Sequence, residues 1–187
     1  MASVKRSDVV ALFVEPDGVY PSLLEDWYDA SRDAFSYEGS TAAVCHPPCD
    51  GWGAYATMPL RLRAGKGAGD YGEFKFSLDT VRRVGGLIEH PARSKAFQAF
   101  GLGIPRRSIS LSDDGIGYIA EFDQGMYGHR CPKPTWIYFV VSSVDRVKID
   151  FRRSFAVERI QRTQYGKRQY TPVLAASLFI EIASMAA

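Results

Sequence analysis

Residues 73–91 read EFKFSLDTVRRVGGLIEHP, and this stretch contains the transition that decides the fold. From Glu73 to Val84 the apolar residues recur at helical spacing, so we predict a helix there. Gly85-Gly86 ends the helix, and Leu87 and Ile88 start a short apolar strand that ends at Pro91. A helix that leads directly into a buried strand is typical of α/β proteins.

The same alternation precedes this stretch. Val9 to Val14 and Thr41 to Val44 are short, β-rich apolar runs, and we predict a strand at each. Between them, Pro21 to Phe35 shows helical spacing and is predicted to be a helix. Its expected inner stripe consists of Leu23, Leu24, Trp27, Tyr28 and Phe35.

The second half of the chain has a different pattern of predicted secondary structure. Ser108 to Leu111 and Gly117 to Phe122 are joined through Asp113-Asp114-Gly115, which predicts a β-hairpin. Three further elements are expected: a short helix from Arg93 to Phe100, a strand from Trp136 to Val141 and a final helix from Thr171 to Met185.

Together these elements predict one domain over residues 1–187. Its fold class is α/β: a Rossmann-like, three-layer arrangement whose sheet is mostly parallel, with an antiparallel hairpin at one side. Residues 51–70 are rich in glycine, and we expect a mobile loop beside the site.

Composition narrows the class of protein. Of the 187 residues, 46% are hydrophobic and 24% charged, which is typical of globular chains. No run of about 18 apolar residues occurs and the amino terminus lacks a secretory pattern, so we expect a cytoplasmic protein with no membrane contact. The net charge of +2 implies no polyanionic partner by itself. Two basic clusters, residues 146–168 and Arg61, Arg63 and Lys66, either hold phosphates or form solvated surface.

All three histidines and all three cysteines lie in three short segments, each at the end of a predicted strand. The segments are CHPPC from Cys45 to Cys49, EHP from Glu89 to Pro91 and HRCP from His129 to Pro132. Ligands of open α/β sheets bind beyond the carboxyl ends of the strands. We therefore expect the three segments to form one site.

Cys49 is the candidate nucleophile of this site. Two prolines fix the backbone before it, which would hold the sulfur in one direction. A neighbouring His46 or Arg130 would lower the pKa of the thiol and supply thiolate. The alternative is a small buried residue after a tight turn.

Glu89 ends an apolar strand, and two interpretations of it remain open. The carboxyl is either desolvated, with a raised pKa that suits an acid, or paired with a cation such as Arg93 or Arg130. The adjacent His90 either binds a ligand or caps the following turn.

The third segment extends from Gln124 to Trp136. Tyr127 and Trp136 are candidates to stack on a base, although packing is the favoured role of Trp136, and Arg130 and Lys133 suit phosphate or carboxylate. A zinc site is a competing interpretation, but the spacing Cys-x-x-x-Cys with an inserted histidine is not that of a standard finger, so we assign no metal. Its ligands would come from Cys45, His46, Cys49, His90, His129 and Cys131.

Three motifs in this order resemble those of the cytosine-C5 DNA methyltransferases: HPPCDGWG at residues 46–53, GGLIEHP at 85–91 and YGHRCPKPTW at 127–136. The sequences of these motifs resemble even more closely those of a group of small phage-borne proteins labelled methyltransferase-like. The likeness extends from Val9 to the carboxyl terminus.

The resemblance implies a reaction at C5 of a pyrimidine. Cys49 would add to C6 of the ring, Glu89 would hydrogen-bond the ring at N3, and Arg130 is the nearest substitute for the arginines that support the site. Residues implied in substrate binding are His46, Pro48, Trp52, His90, Gln124, His129 and Lys133.

The family binds S-adenosylmethionine at a Phe-x-Gly-x-Gly loop, whose place is taken here by residues 12–18. Only Phe13 and Gly18 match, and Glu15 is available for ribose hydroxyls.

The large target-recognition region of the family is missing between Trp136 and the last helix. The expected substrate is thus a pyrimidine nucleotide, or DNA bound with little sequence preference unless a protein partner supplies recognition. A degenerate methyltransferase fold that serves as a binding module and a metal-dependent hydrolase remain alternative functions.

Overall fold

The structure, a computed structural model, describes residues 5–49, 51–52, 72–154 and 170–186. In this part the chain forms seven strands: β1 (Arg6–Leu12), β2 (Leu24–Tyr28), β3 (Ala42–Cys45), β4 (Gly86–Pro91), β5 (Ser110–Leu111), β6 (Tyr118–Asp123) and β7 (Pro134–Val140). The α-helices of the same part are α1 (Tyr20–Leu23), α2 (Glu73–Val84), α3 (Lys95–Ala99) and α4 (Val173–Ala183).

The strands form one sheet in the order β2-β1-β3-β4-β7-β6-β5. The pairs β1–β2, β1–β3 and β3–β4 are parallel, whereas β4–β7, β6–β7 and β5–β6 are antiparallel. The α/β class and the antiparallel hairpin at one side are therefore confirmed, but the sheet is mixed rather than mostly parallel. The connection from β6 to β7 is too short for a parallel crossover, so β7 reverses and enters between β6 and β4.

This reversal matters for the site because it gives β6 the same direction as β4. The carboxyl ends of β1, β3, β4 and β6 therefore lie at one edge of the sheet, together with the amino end of β7. We call this the carboxyl edge. At this edge Cys45 is level with Ile88, Glu89 with Ile137, and Asp123 with Pro134.

Helices cover both faces of the sheet. On one face α4 packs its fully buried Phe179 in a core that includes Val44 and Leu87. On the other face α2 packs Phe74 in a second core that includes Cys45 and Ile88. Because successive side chains of a strand point to opposite faces, each central strand contributes alternate residues to the two cores. Burial of one such large apolar side chain stabilises the fold by about 2 kcal/mol.

Helix α2 has the bounds that the sequence predicts. Phe74, Leu78 and Val81 lie on its buried face, and an ion pair between Lys75 and Asp79 joins neighbouring turns on the outer face. The helix ends at Gly85, after which β4 begins at Gly86 with φ of 118°. A Cβ at Gly86 would lie 2.0 Å from the main-chain oxygen of Ala43, so only glycine allows β4 to begin this close to β3.

The helix predicted over Pro21 to Phe35 is wrong. The helical part ends at Leu23, and the chain continues as strand β2, parallel to β1. Pairing with the open edge of β1 satisfies the backbone groups of this segment, and aromatic residues such as Tyr28 favour a strand. Phe35, expected on the inner stripe, is 42% exposed.

The remaining predicted elements form with shifted ends. Helix α3 is shorter than the predicted range, and α4 begins at Val173, directly after Pro172. The predicted mobile loop over 51–70, apart from its first two positions, lies outside the described residues, as do Arg61, Arg63, Lys66 and the basic residues from 155 onward. Among the helices that the structure describes, none has the length and apolar character needed to cross a bilayer.

Candidate active site

Polar side chains from four separate segments meet at the carboxyl edge, on the face covered by α4. Tyr20 opens α1, His46 follows β3, Glu89 lies in β4, Gln124 follows β6, Lys133 precedes β7, and Thr135 lies in β7. We call these six residues the Glu89 cluster. Of the residues suggested by the sequence, the structure thus brings together His46, Glu89, Gln124 and Lys133.

Glu89 is the centre of this cluster and is only 7% exposed. Its Oε1 accepts a hydrogen bond from Nε2 of Gln124 at 2.9 Å and lies 3.8 Å from Nζ of Lys133. Its Oε2 lies 3.1 Å from Nδ1 of His46. Each carboxylate oxygen is therefore held by a different part of the chain.

These contacts decide the charge of Glu89. Burial disfavours the carboxylate, but the positive charge of Lys133 and the hydrogen bond from His46 outweigh it and lower the pKa of Glu89 to about 2. The carboxyl is therefore ionised at neutral pH and accepts hydrogen bonds. Of the two interpretations left open by the sequence, the paired one is right, although the partners are Lys133 and His46 rather than Arg93 or Arg130.

Gln124 and Thr135 fix the orientation of the groups around Glu89. The hydroxyl of Thr135 donates to the main-chain oxygen of Lys133 at 3.0 Å and accepts from Nε2 of Gln124 at 3.0 Å. This arrangement turns the amide nitrogen of Gln124 towards Glu89. Within the described part of the chain its Oε1 is buried and has no hydrogen-bond partner, so a bound N–H or a water would satisfy it.

His46 is engaged at both ring nitrogens. Nδ1 contacts Glu89, and Nε2 lies 2.6 Å from the hydroxyl of Tyr20. Both ring nitrogens of His46 are therefore occupied, and neither is available to bind the thiol of Cys49. Burial, and then the charge of Glu89, raise the pKa of Tyr20 well above its usual range, so its hydroxyl stays protonated.

Tyr20 and Thr135 were not identified as site residues from the sequence. Thr135 lies two positions after Lys133, and the alternation of β7 places both on one face, which is the available signal. Tyr20 carried no signal, because the strand that follows it was predicted as helix.

Cys49 lies in the turn that leaves β3. Pro47 is buried, Pro48 is exposed and Cys49 is partly exposed. The amide of Trp52 donates to the main-chain oxygen of Cys49 at 3.0 Å, and the amide of Lys95 donates to the oxygen of Trp52 at 2.9 Å. These main-chain hydrogen bonds link the turn to the amino end of α3.

Trp52 and His90, both suggested as substrate-binding residues, lie on the face of α2 and α3. The Trp52 ring packs against Phe74 and Phe100, at 6.5 and 5.8 Å between centroids. His90 is fully buried, with Nδ1 2.6 Å from Oγ of Ser94 and its ring against Phe74. His90 follows Glu89 in β4, so strand alternation turns it away from the Glu89 cluster.

His129 and Arg130 adjoin the cluster through Tyr170. The His129 ring stacks on the Tyr170 ring at 4.4 Å between centroids, and Nδ1 lies 2.7 Å from the main-chain oxygen of Cys131. The amide of Arg130 donates to the Tyr170 hydroxyl at 3.1 Å, while Nζ of Lys133 donates to the main-chain oxygen of Tyr170 at 3.2 Å. Tyr170 therefore links His129 and Arg130 to Lys133.

The segment suggested for the cofactor follows β1. Phe13 has a φ of 59°, and its ring contacts the rings of Phe35 and Phe76 at 5.5 and 6.1 Å between centroids. Glu15 is exposed, and its main-chain oxygen accepts from the amide of Gly18 at 3.0 Å in a turn. The Phe13 ring thus packs on other aromatic rings of the chain.

The zinc interpretation requires cysteines and histidines of the three segments to converge. In the described residues no group of three or more His, Cys, Asp or Glu side chains is placed to hold a metal ion. Cys45 and His46 point to opposite faces, and burial raises the pKa of the Cys45 thiol to about 12.

Comparison of the chain with protein-family models, with curated proteins and with solved structures gives no match.

Proposed function

We propose that the chain is an enzyme that modifies a pyrimidine, in a nucleotide or in nucleic acid, at C5 of the ring. The observation that carries the proposal is the ionised, nearly buried Glu89 at the carboxyl edge, held by His46, Gln124 and Lys133. This edge is where open α/β sheets bind their ligands, and a Rossmann-like relationship of the fold is part of the proposal.

A flat heterocycle suits the groups that surround Glu89. The carboxylate accepts a hydrogen bond from a ring N–H or from an exocyclic amino group. Gln124 Oε1 is a second acceptor, and the ammonium of Lys133 offers positive charge beside a ring carbonyl. The resemblance implied that Glu89 acts at N3 of the ring. Because the carboxylate is ionised, it would accept there from the N3–H of a uracil-type ring, or from the neighbouring exocyclic amino group of a cytosine.

Cys49 supplies the nucleophile in this proposal. Its thiolate adds to C6, a C–S bond forms, and the displaced electron pair spreads over the ring, where Lys133 stabilises the developing negative charge. C5 would then attack the electrophile, whose bond to its leaving group breaks. A base removes the C5 proton, the C5=C6 bond re-forms, and the C–S bond breaks to release the Cys49 thiolate. Arg130, in the segment beside Lys133, is the candidate to favour the thiolate.

S-adenosylmethionine is the electrophile that the resemblance implies, and the same resemblance would have Phe13, Glu15 and Gly18 hold it. We propose that recognition of a particular nucleic-acid sequence comes from a protein partner, and that the enzyme works in the cytoplasm.

Covalent trapping tests the proposal. The whole chain is incubated with oligonucleotides or nucleotides that contain pyrimidin-2-one, whose C6 adds thiolates without a transferred group, and with 5-fluorouracil or 5-fluorocytosine in the presence of S-adenosylmethionine. 5-Fluorouracil offers the N3–H that an ionised Glu89 accepts, and 5-fluorocytosine offers an exocyclic amino group. We expect a protein–base adduct by intact mass, with the modified peptide containing Cys49. The adduct is lost in Cys49→Ser and in Glu89→Gln.

Cys131→Ser is the matched control, because Cys131 is a second cysteine at the carboxyl edge but is only 2% exposed. This variant is expected to keep the adduct. An adduct that survives Cys49→Ser, or no adduct with any pyrimidine tested, contradicts the proposal.

One observation favours a second candidate, a binding module with a methyltransferase-like fold. The Phe13 ring, which the motif would offer to a cofactor, already packs against Phe35 and Phe76. Titration calorimetry with S-adenosylmethionine separates the two candidates: heat of binding that Phe13→Ala removes supports the enzyme. Absence of binding together with absence of any adduct supports the module.

A further inference from the structure

Tyr20 is a buried residue of the Glu89 cluster to which the proposed reaction assigns no role. It opens α1 in the connection that follows β1, and its side chain is 3% exposed. Pro21 at the first turn of this short helix restricts the backbone beside it. Its hydroxyl lies 2.6 Å from Nε2 of His46, so it reaches the cluster from the side opposite Glu89.

The His46 ring is held from every direction. The main-chain amide of His46 donates to the oxygen of Leu12 at 3.0 Å, which ties the residue to the end of β1. The rings of Tyr20 and Phe179 lie 5.1 and 5.8 Å from the imidazole ring between centroids. A half-turn of the imidazole about its Cβ–Cγ bond would break the hydrogen bonds at both nitrogens.

The protonation of the neighbours fixes where the imidazole carries its proton. Glu89 is ionised and can only accept, so the hydrogen between it and His46 belongs to Nδ1. Tyr20 keeps its phenolic proton and is able to donate. A neutral imidazole therefore has its proton on Nδ1 and its lone pair on Nε2, where Tyr20 satisfies it.

We infer that Tyr20 is a positioning residue: its hydroxyl caps Nε2 of His46, and His46 in turn directs its Nδ1 proton to Oε2 of Glu89. This chain of contacts fixes the orientation of Glu89, because His46 holds its Oε2 while Gln124 and Lys133 hold its Oε1. A carboxylate fixed at both oxygens meets a ligand in one orientation and pays little conformational entropy on binding. That this ligand is a pyrimidine rests on the proposed function.

The first test is a nuclear magnetic resonance spectrum of the whole chain labelled with ¹⁵N, in which His46→Gln identifies the His46 signals among the three histidines. We expect the neutral ring to show a slowly exchanging Nδ1–H and an Nε2 that accepts a hydrogen bond. This measurement needs no Tyr20 variant, and a neutral ring with its proton on Nε2 overturns the inference.

The second test compares Tyr20→Phe with Tyr37→Phe. Tyr37 is a matched control because it is 5% exposed and donates to the main-chain oxygen of Thr41 at 2.7 Å, in the core on the other face. Tyr20→Phe is expected to move the Nε2 resonance and to broaden the Nδ1–H of His46. Tyr37→Phe should lose similar stability and leave both signals in place. Unchanged His46 signals in Tyr20→Phe overturn the inference.

The trapping reaction adds a functional measurement. Tyr20→Phe is expected to form the pyrimidine adduct more slowly, on the order of tenfold, because a loosened Glu89 no longer holds the ring. Equal adduct rates in Tyr20→Phe and Tyr37→Phe contradict the positioning role. If the His46 signals respond as expected but the unmodified chain forms no adduct, the proposed function fails and the link from Tyr20 to Glu89 remains.

Discussion

Nζ of Lys133 lies 3.8 Å from Oε1 of Glu89, and the two side chains are only 13% and 8% exposed. The pair joins the amino end of β7 to the carboxyl end of β4, two antiparallel neighbours at the centre of the site. Two charges this far from solvent stabilise the fold only in each other's presence. The relationship leads to the first prediction, on the stability of the cluster.

Lys133→Met should destabilise the chain at neutral pH. The substitution keeps the length of the side chain but leaves Glu89 with His46 and Gln124 alone, so we expect the free energy of unfolding to fall by about 2 kcal/mol. Urea unfolding followed by circular dichroism measures it. Lys75→Met is the control, because its ion pair with Asp79 is 66% and 55% exposed and contributes about 0.5 kcal/mol or less. Equal losses in both variants would contradict a buried pair.

The pH dependence of stability provides the second prediction. The pKa of Glu89 is about 2 in the folded chain, against an ordinary value of 4.5. A carboxyl with a lowered folded pKa contributes its stability fully above the unfolded pKa and loses it as the pH falls through the folded value. The contribution of Glu89 should therefore be complete above pH 4.5 and disappear between pH 4.5 and about 2.

Glu89→Gln is expected to flatten the dependence of the unfolding free energy on pH in this window by up to one proton. Asp114→Asn is the comparison, since hydrogen bonds from Ile116, Arg82 and Tyr138 outweigh burial and lower the pKa of Asp114 to about 2. Asp114→Asn should also flatten the pH dependence of the unfolding free energy between pH 4.5 and about 2. It should leave the formation of the pyrimidine adduct unchanged. If the unfolding free energy of Glu89→Gln depended on pH as steeply as that of the unmodified chain, the Glu89 carboxyl would not be held as described.

How far the sequence alone predicts this fold depends on the range of the contacts. Helix α2 follows from a local pattern, and its predicted bounds are those of the structure. The segment from Pro21 to Phe35 has the same local spacing, but its pairing partner is β1, and pairing across the sheet overrides helical periodicity. The mixed sheet has a similar cause, because the insertion of β7 beside β4 is a long-range event.

The candidate site is predictable to the same extent. The sequence alone predicts that His46, Glu89, Gln124 and Lys133 share one region, since these residues follow or flank short apolar runs. The face of the sheet to which each side chain points depends on its position in the strand. Glu89 and His90 are successive residues of β4, so their side chains lie on opposite faces. The place of Tyr20 in the site is not predictable from the sequence. Its partner His46 is distant along the chain, and their contact depends on how β1 pairs with β3.

The reactivity of the thiols provides the third prediction. Burial raises the pKa of Cys45 to about 12, and Cys131 is 2% exposed, whereas Cys49 is partly exposed. Thiolate is the reactive form, so we expect one of the three cysteines to react quickly with iodoacetamide in the native chain.

Peptide mapping should place this label on Cys49, and Cys49→Ser should abolish the fast phase. Cys131→Ser is expected to leave the phase unchanged. Rapid labelling of Cys45 in the folded chain would contradict the packing of β3 against α2.

The last prediction concerns the amide of Gln124, which is fully buried and donates to both Glu89 and Thr135. Gln124→Glu keeps the size of the side chain but places a second carboxyl against the ionised Glu89. Like charges this close cannot both ionise without cost, so the pKa of the new carboxyl should be raised. A carboxyl with a raised folded pKa is tolerated while protonated and destabilises as the pH rises above its unfolded value.

Gln124→Glu should therefore lose more stability at neutral pH than near pH 4.5, with a deficit of about 2 kcal/mol at neutral pH. This dependence has the opposite sign to that of the native Glu89. Gln98→Glu, on the exposed face of α3, is the matched control and should change the unfolding free energy little at either pH. A deficit in Gln124→Glu that is the same at both pH values would mean that the two carboxyls do not share a buried site, and the acceptor role of Glu89 would lose its structural basis.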